Sequence, residues 1–185
     1  MRRVVALGLI LVIATPAGAA PDPTTLRLGR SSPEEMTRFA AARACLPIIA
    51  DGVALETTVA GVSFPWRLVP GAFALYGTTP NYVKLDGRGG CYFRIDHGDP
   101  AKLRIAVLEA LKEAGAPPAV DGAFDSGPDG STRAGKYRQE GYCLEGPATA
   151  GRALGMVMST GTAMGPKLQL SLFVAPTAHC GPAAP

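Results

Sequence analysis

The chain has 185 residues, 47% of them hydrophobic and 18% charged, with a formal net charge of +3. That length and apolar content fit one domain with a real core and exclude a disordered or fibrous chain. Arg2 and Arg3 supply two of the three excess positive charges, so the body of the chain is near neutral. A near-neutral surface argues against nucleic acid or an anionic membrane as the main partner.

Residues 1–19 read as a secretory signal peptide. Arg2-Arg3 is the basic start, Val4 to Ala14 the apolar run, and Ala17-Gly18-Ala19 a small-x-small cleavage site, with cleavage expected after Ala19. The run is too short to span a bilayer, and no later run is long enough. The arginine pair lacks the spacing of a twin-arginine signal, so general export is expected. The first cysteine is Cys45, far from the cleavage site, so no lipid anchor is expected either. The predicted location is the periplasm or the exterior. Residues 20–30 form a proline-bearing, flexible lead-in, residues 31–180 a single globular domain, and residues 181–185 a tail.

Ser32-Pro33-Glu34-Glu35 opens the first predicted helix, with Ser32 as cap, Pro33 in the first turn and Glu35 closing an S-x-x-E box. Met36, Phe39, Ala42 and Leu46 form its apolar stripe, and Pro47 is expected to end or kink it after Cys45. Arg43, near the stripe, reads as a stem packed on the core with its head in water, rather than as an anion-binding group. From Ile48 to Gly71 the pattern is poor. Asp51-Gly52 marks a turn, Val53 to Ala60 fits a short helix or a strand, and Ser63-Phe64-Pro65-Trp66 carries the sole tryptophan, read as a core edge.

Phe73 to Tyr76 and Tyr82 to Leu85 look like short strands, and Asp86 to Gly90 is a tight turn. Cys91, Phe93 and Ile95 alternate with Tyr92, Arg94 and Asp96, the two-residue period of a half-buried strand. Asp99 then caps a second helix, Pro100 to Ala114, with Leu103, Val107, Ala110 and Leu111 on one face. Gly115, Pro117 and Pro118 end it. Asp121 to Gly135 reads as a loop. Strands follow at Lys136 to Leu144, Ala153 to Ser159 and Lys167 to Val174, joined by short loops as an antiparallel meander. The predicted fold is α+β: a mainly antiparallel sheet with two helices packed on one face, stapled by disulfides.

Cys45, Cys91, Cys143 and Cys180 form an even set, and an exported chain is expected to oxidise them to two disulfides. Shorter loops favour Cys45–Cys91 with Cys143–Cys180 over the rival Cys45–Cys180 with Cys91–Cys143. In a meander the first and third strands run parallel, which brings Cys143 and the segment after Val174 to the same end. No C-x2-C pair exists and the chain has only two histidines, His97 and His179, so no metal is expected.

Several motifs fall short. Gly130 to Lys136 fits G-x-x-x-x-G-K, but Tyr137 replaces the magnesium-holding Ser or Thr and the context is strand. Asp125 to Gly130 resembles a calcium loop whose twelfth position is Lys136 instead of Glu. Gly87-x-Gly89-Gly90 precedes a strand instead of following one, so it is no dinucleotide fingerprint. No cofactor is expected. Asp96-His97-Gly98-Asp99 is the densest titratable cluster, offering His97 as a base oriented by Asp96 or Asp99, yet no nucleophile accompanies it. An early cysteine-bearing helix, a cysteine-bearing strand, a helix and a meander resemble the layout of many short exported bacterial proteins, a likeness that implies no activity. The expected function is a non-catalytic binding, inhibitor or accessory protein of the cell envelope, with an unidentified protein or small ligand as partner. The alternative is a small periplasmic hydrolase using His97 with Asp96 or Asp99.

Overall fold

The computed structural model describes residues 32–60, 66–69, 72–75, 81–85, 89–124, 129–132, 135–161 and 166–180. The expected signal peptide, the lead-in, Phe64-Pro65, the turn at 86–88, residues 125–128 of the calcium-like loop and the tail lie outside the described residues.

Ser32 Oγ accepts the Glu35 N–H at 3.1 Å and Glu35 Oε2 accepts the Ser32 N–H at 2.8 Å, so the capping box forms as the sequence spells it. The helix it opens runs through α1 (Pro33–Arg38), a π-helical stretch (Phe39–Cys45) and α2 (Leu46–Asp51). Pro47 does not end it. The Leu46 N–H bonds back to the Ala41 carbonyl, an i→i−5 register that widens the turn in front of the proline ring. The extra residue per turn also moves the buried face. Ala40, Ala41, Ala44 and Cys45 are buried while Ala42 is only half-buried, and Arg43 is exposed. A short helix, α3 (Leu55–Val59), buries Leu55 and Val59.

Strands β1 (Trp66–Val69), β2 (Ala72–Leu75), β3 (Asn81–Leu85) and β4 (Cys91–Ile95) make an antiparallel meander. Helix α4 (Pro100–Glu113) follows, its Ala101 N–H held by Asp99 Oδ1 at 2.8 Å. The segment expected to be a loop holds two strands, β5 (Pro118–Phe124) and β6 (Gly130–Thr132). Both pair with β7 (Gly135–Leu144), and β5 is interrupted between Pro118 and Ala123 by a bulge that leaves Val120 exposed. Glycine, proline and aspartate hid this segment because edge strands tolerate them: Pro118 opens the strand, and the bulge blunts the edge. A 3-10 turn (Pro147–Thr149), β8 (Leu154–Gly161), β9 (Leu168–Val174) and the short α5 (Thr177–Cys180) complete the order.

The strands form one sheet in the order β1-β2-β3-β4-β9-β8-β7-β5, with β6 beside β7 and every described pair antiparallel. The fold is α+β, with the first helical run and α4 on one sheet face and the short α5 on the other. Phe93, Ile95, Leu168, Leu170, Leu172, Leu154, Met156 and Met158 point from the sheet into the core. Leu103, Val107 and Leu111 of α4 and Phe39 and Leu46 of the first helical run meet them there. Arg38 ties the two helices together through Glu109 at 3.1 Å and through Glu113. Gly98, in the turn before α4, has φ +106°, and a Cβ there would lie 2.9 Å from the Pro33 Cβ. That turn can be tight against the first helix only because the side chain is absent.

Cys45–Cys91 joins the π-helical stretch to β4, and Cys143–Cys180 joins β7 to α5, each with Cα atoms 5.3 Å apart. These are the pairs with the shorter loops. Cys143 sits on the sheet face away from the large helices. On that side the Phe124 ring covers Gly141, the Phe173 ring covers Gly155, and His179 meets Phe124 edge-on with centroids 6.5 Å apart. Each bond closes a loop of about 40 residues and is worth roughly 4 kcal/mol in a chain-entropy account. Cys45 and Cys91 are both 0% exposed, whereas Cys180 is partly open to solvent. Mild thiol treatment of the native protein, followed by alkylation and peptide mapping, is therefore expected to label Cys143 and Cys180 well before Cys45 and Cys91. Simultaneous labelling of all four would contradict this ordering.

Candidate functional site

Strand β7 carries a sequence pattern unlike the other core strands. Arg138, Glu140, Tyr142 and Leu144 share one face, so a charged and hydrogen-bonding edge continues the apolar sheet. The register shows how this happens. Met156 stands opposite Tyr142, Met158 opposite Glu140, and Thr160 opposite Arg138. Met156 and Met158, which line the core on β8, thus have polar neighbours one strand further out.

Helix α4 covers this edge with Arg104, one position past the buried Leu103. The Arg104 guanidinium grips Glu140 with two bonds, Nε to Oε2 at 2.7 Å and Nη2 to Oε1 at 2.9 Å, and Nη2 also donates to the Tyr142 hydroxyl at 2.9 Å. Tyr142 donates its own proton to Glu140 Oε1 at 2.9 Å, and Arg138 Nη2 lies 3.1 Å from the same oxygen. The Glu140 side chain is only 10% exposed. This is a two-pronged arginine–carboxylate pair backed by a phenol, the geometry in which charged hydrogen bonds are strongest.

The charges tune one another. Hydrogen bonds from Arg104, followed by one from Tyr142 and by the nearby positive charges, hold the Glu140 carboxyl below the usual carboxylate range against the opposing effect of burial. Burial, then the hydrogen bond to Glu140, pushes the Tyr142 phenol up. Glu140 raises the affinity of Arg104 for its proton. At neutral pH the cluster is one carboxylate, two guanidiniums and a neutral phenol.

In front of the cluster lies an open groove of about 690 Å³ between the start of α4 and the β6–β7 hairpin. Arg104 and Arg138 are among the residues that line it. Asp99, Asp129, Lys136 and Thr160 stand around it. The volume lies within the range typical of small-molecule sites.

The residues singled out in the sequence fall elsewhere. Asp96 is gripped by Arg94, Nε to Oδ1 at 2.5 Å and Nη2 to Oδ2 at 3.2 Å, and Asp99 caps α4. His97 is half-buried in the turn between them and does not line the groove, although Asp99 does. His179 lies against Phe124 beside the second disulfide. Gly130–Thr132 pairs antiparallel with Gly135–Tyr137, so the described ends of this motif are strands and not a strand followed by a helix. Among the described residues no cluster of three His, Cys, Asp or Glu side chains could hold a metal ion, and no helix is long and apolar enough to cross a membrane. Sequence reasoning missed Arg104, Arg138, Glu140 and Tyr142. The available signal was Arg138-x-Glu140-x-Tyr142 at the parity of a core-facing strand, where charge has to be explained.

Comparison with known protein families, curated protein sequences and solved structures gives no match for this chain.

Replacing Glu140 with Gln removes the charge shared by both guanidiniums, replaces one of the two accepting oxygens with a donor NH2, and is expected to lower stability by about 2 kcal/mol at neutral pH, the scale of a lost charged hydrogen bond in a mostly buried place. Because folding depresses the Glu140 pKa, its contribution is present above the ordinary carboxylate value of 4.5 and is lost as pH falls through the folded value. Urea denaturation across an acid series is expected to show a weaker acid limb in E140Q than in the wild type. An unchanged neutral midpoint would mean that the cluster does not hold the fold.

Proposed function

We propose that the chain is an exported, non-catalytic binding protein of the cell envelope that receives a small ligand in the groove between α4 and the β6–β7 hairpin. The observation that carries this reading is the groove itself. It is of ligand size and is backed by an arginine–glutamate–tyrosine cluster that fixes the positions of Arg104 and Arg138. The cluster suits holding better than reacting. Its carboxylate is stabilised as an ion and already has four donors around it, and its phenol is stabilised as the neutral form. A proton-transfer role needs a group poised near the working pH. The hydrolase alternative asks Asp96 or Asp99 to orient His97, while those carboxylates carry Arg94 and the Ala101 amide as partners.

Export is supported by the leader pattern of residues 1–19 and by two disulfides, which persist in oxidising compartments. The binding reading is tested by thermal melting of the mature protein against a panel of small charged and neutral metabolites. A fitting ligand at a hundredfold excess over its Kd raises the Tm by about 5 °C or more. Ala101→Trp, which places an indole in the groove mouth from an exposed helical position, is expected to keep the unliganded Tm and abolish the shift. A panel that never shifts the wild type more than A101W would reject the groove as a binding site.

A further inference from the structure

We propose that this groove binds the oxyanion of its ligand, a carboxylate or a phosphate, between Lys136 and Arg138. The inference rests on the binding reading above and adds the chemistry of the ligand.

Its basis is the way donors and acceptors are shared. Glu140 is the common counter-ion of Arg104 and Arg138, so two guanidiniums lean on one carboxylate and the cluster keeps one positive charge in excess. Arg104 spends Nε and Nη2 on Glu140 and Tyr142. Arg138 gives Glu140 a single nitrogen, and its side chain is 65% exposed, which leaves most of a planar donor fork at the groove wall. Lys136 precedes it by two residues on the same strand and the same face, exposed, and with no ion pair to another described residue. Residues two apart on a strand lie about 7 Å from each other, so both long side chains reach one anion placed between them. Thr160, directly across from Arg138 in the β7–β8 ladder, adds a hydroxyl to the same wall.

The two carboxylates at the rim have other engagements. Asp99 accepts the Ala101 N–H at 2.8 Å and Asp129 accepts the Gln139 N–H at 2.9 Å. They lower the net field, so the site selects by donor geometry more than by long-range attraction. Asp99 already occupies the Ala101 amide at the start of α4, and the site is assigned to the side chains of β7.

The test is calorimetric titration of the mature chain at constant ionic strength with inorganic phosphate, succinate and putrescine. Phosphate or succinate is expected to bind saturably, and which of them binds separates a phosphate from a carboxylate source. Lys136→Gln and Arg138→Gln are each expected to weaken that binding about tenfold, the loss of one charged hydrogen bond. Lys112→Gln, at the far end of α4, is expected to bind as the wild type does. Anion binding that survives both substitutions would be unspecific and would overturn the assignment. Putrescine binding that disappears in A101W would overturn the oxyanion while leaving the groove a binding site. If none of the three probes binds, the oxyanion assignment fails, and the metabolite panel with A101W decides separately whether the groove binds anything.

Discussion

The pairing of β4 with β9 is the seam on which the sheet depends. β4 closes the N-terminal meander, β9 closes the C-terminal one, and Cys91–Ile95 against Leu168–Leu172 is where they become one sheet. That register extends in rows across four strands. Cys91, Leu172, Met156 and Tyr142 form one row; Phe93, Leu170, Met158 and Glu140 the next; Ile95, Leu168, Thr160 and Arg138 the third. Each row starts in the core and ends on a member of the polar cluster. The packing that buries Phe93 and Leu170 is therefore the same constraint that aims Glu140 at Arg104. A slip of one residue along β7 would present Tyr137, Gln139 and Gly141 to the helix instead.

The two disulfides serve opposite faces of this sheet. Cys45–Cys91 lies within the helix-covered core and anchors the first helical run to the seam strand. Cys143–Cys180 lies on the other side, where phenylalanine rings rest on glycines and the short α5 is too small to hold itself down. Because Cys143 and Tyr142 are neighbours on one strand, the bond on the far face also restrains the strand that carries the cluster.

Much of this architecture is written locally. Ser32, Pro33 and Glu35 specify a helix start, Asp99 and Pro100 another, and the alternation in Cys91–Ile95 and Leu168–Val174 specifies strands through short-range sterics and burial alone. What escaped has non-local causes. The helix passes Pro47 because a π turn, stabilised by packing along its whole buried face, opens room for the ring. β5 forms despite Pro118 and Gly122 because β7 supplies hydrogen bonds at an edge. The cluster was legible only on β7, through Arg138-x-Glu140-x-Tyr142: Arg104 lies 36 residues before Glu140, and only the crossing of α4 over β7 makes them partners. His97 drew attention in the sequence because titratable groups crowd around it, yet Asp96 and Asp99 each serve the local chain, one paired with Arg94 and one capping α4.

The seam also sets a timetable. A chain delivered N-terminus first presents β4, and can close Cys45–Cys91, long before β9 exists. Until then the hydrogen-bonding edge of β4 and the apolar side chains of Phe93 and Ile95 wait for partners encoded near the other end. Pairings between distant segments are slow to form, and unpaired edges stick to one another in the interval. The half-made molecule is thus the vulnerable one. The Cys45–Cys91 bond needs nothing encoded after β4, so its closure is independent of β9 and is able to hold the first helix against β4 before the sheet is complete.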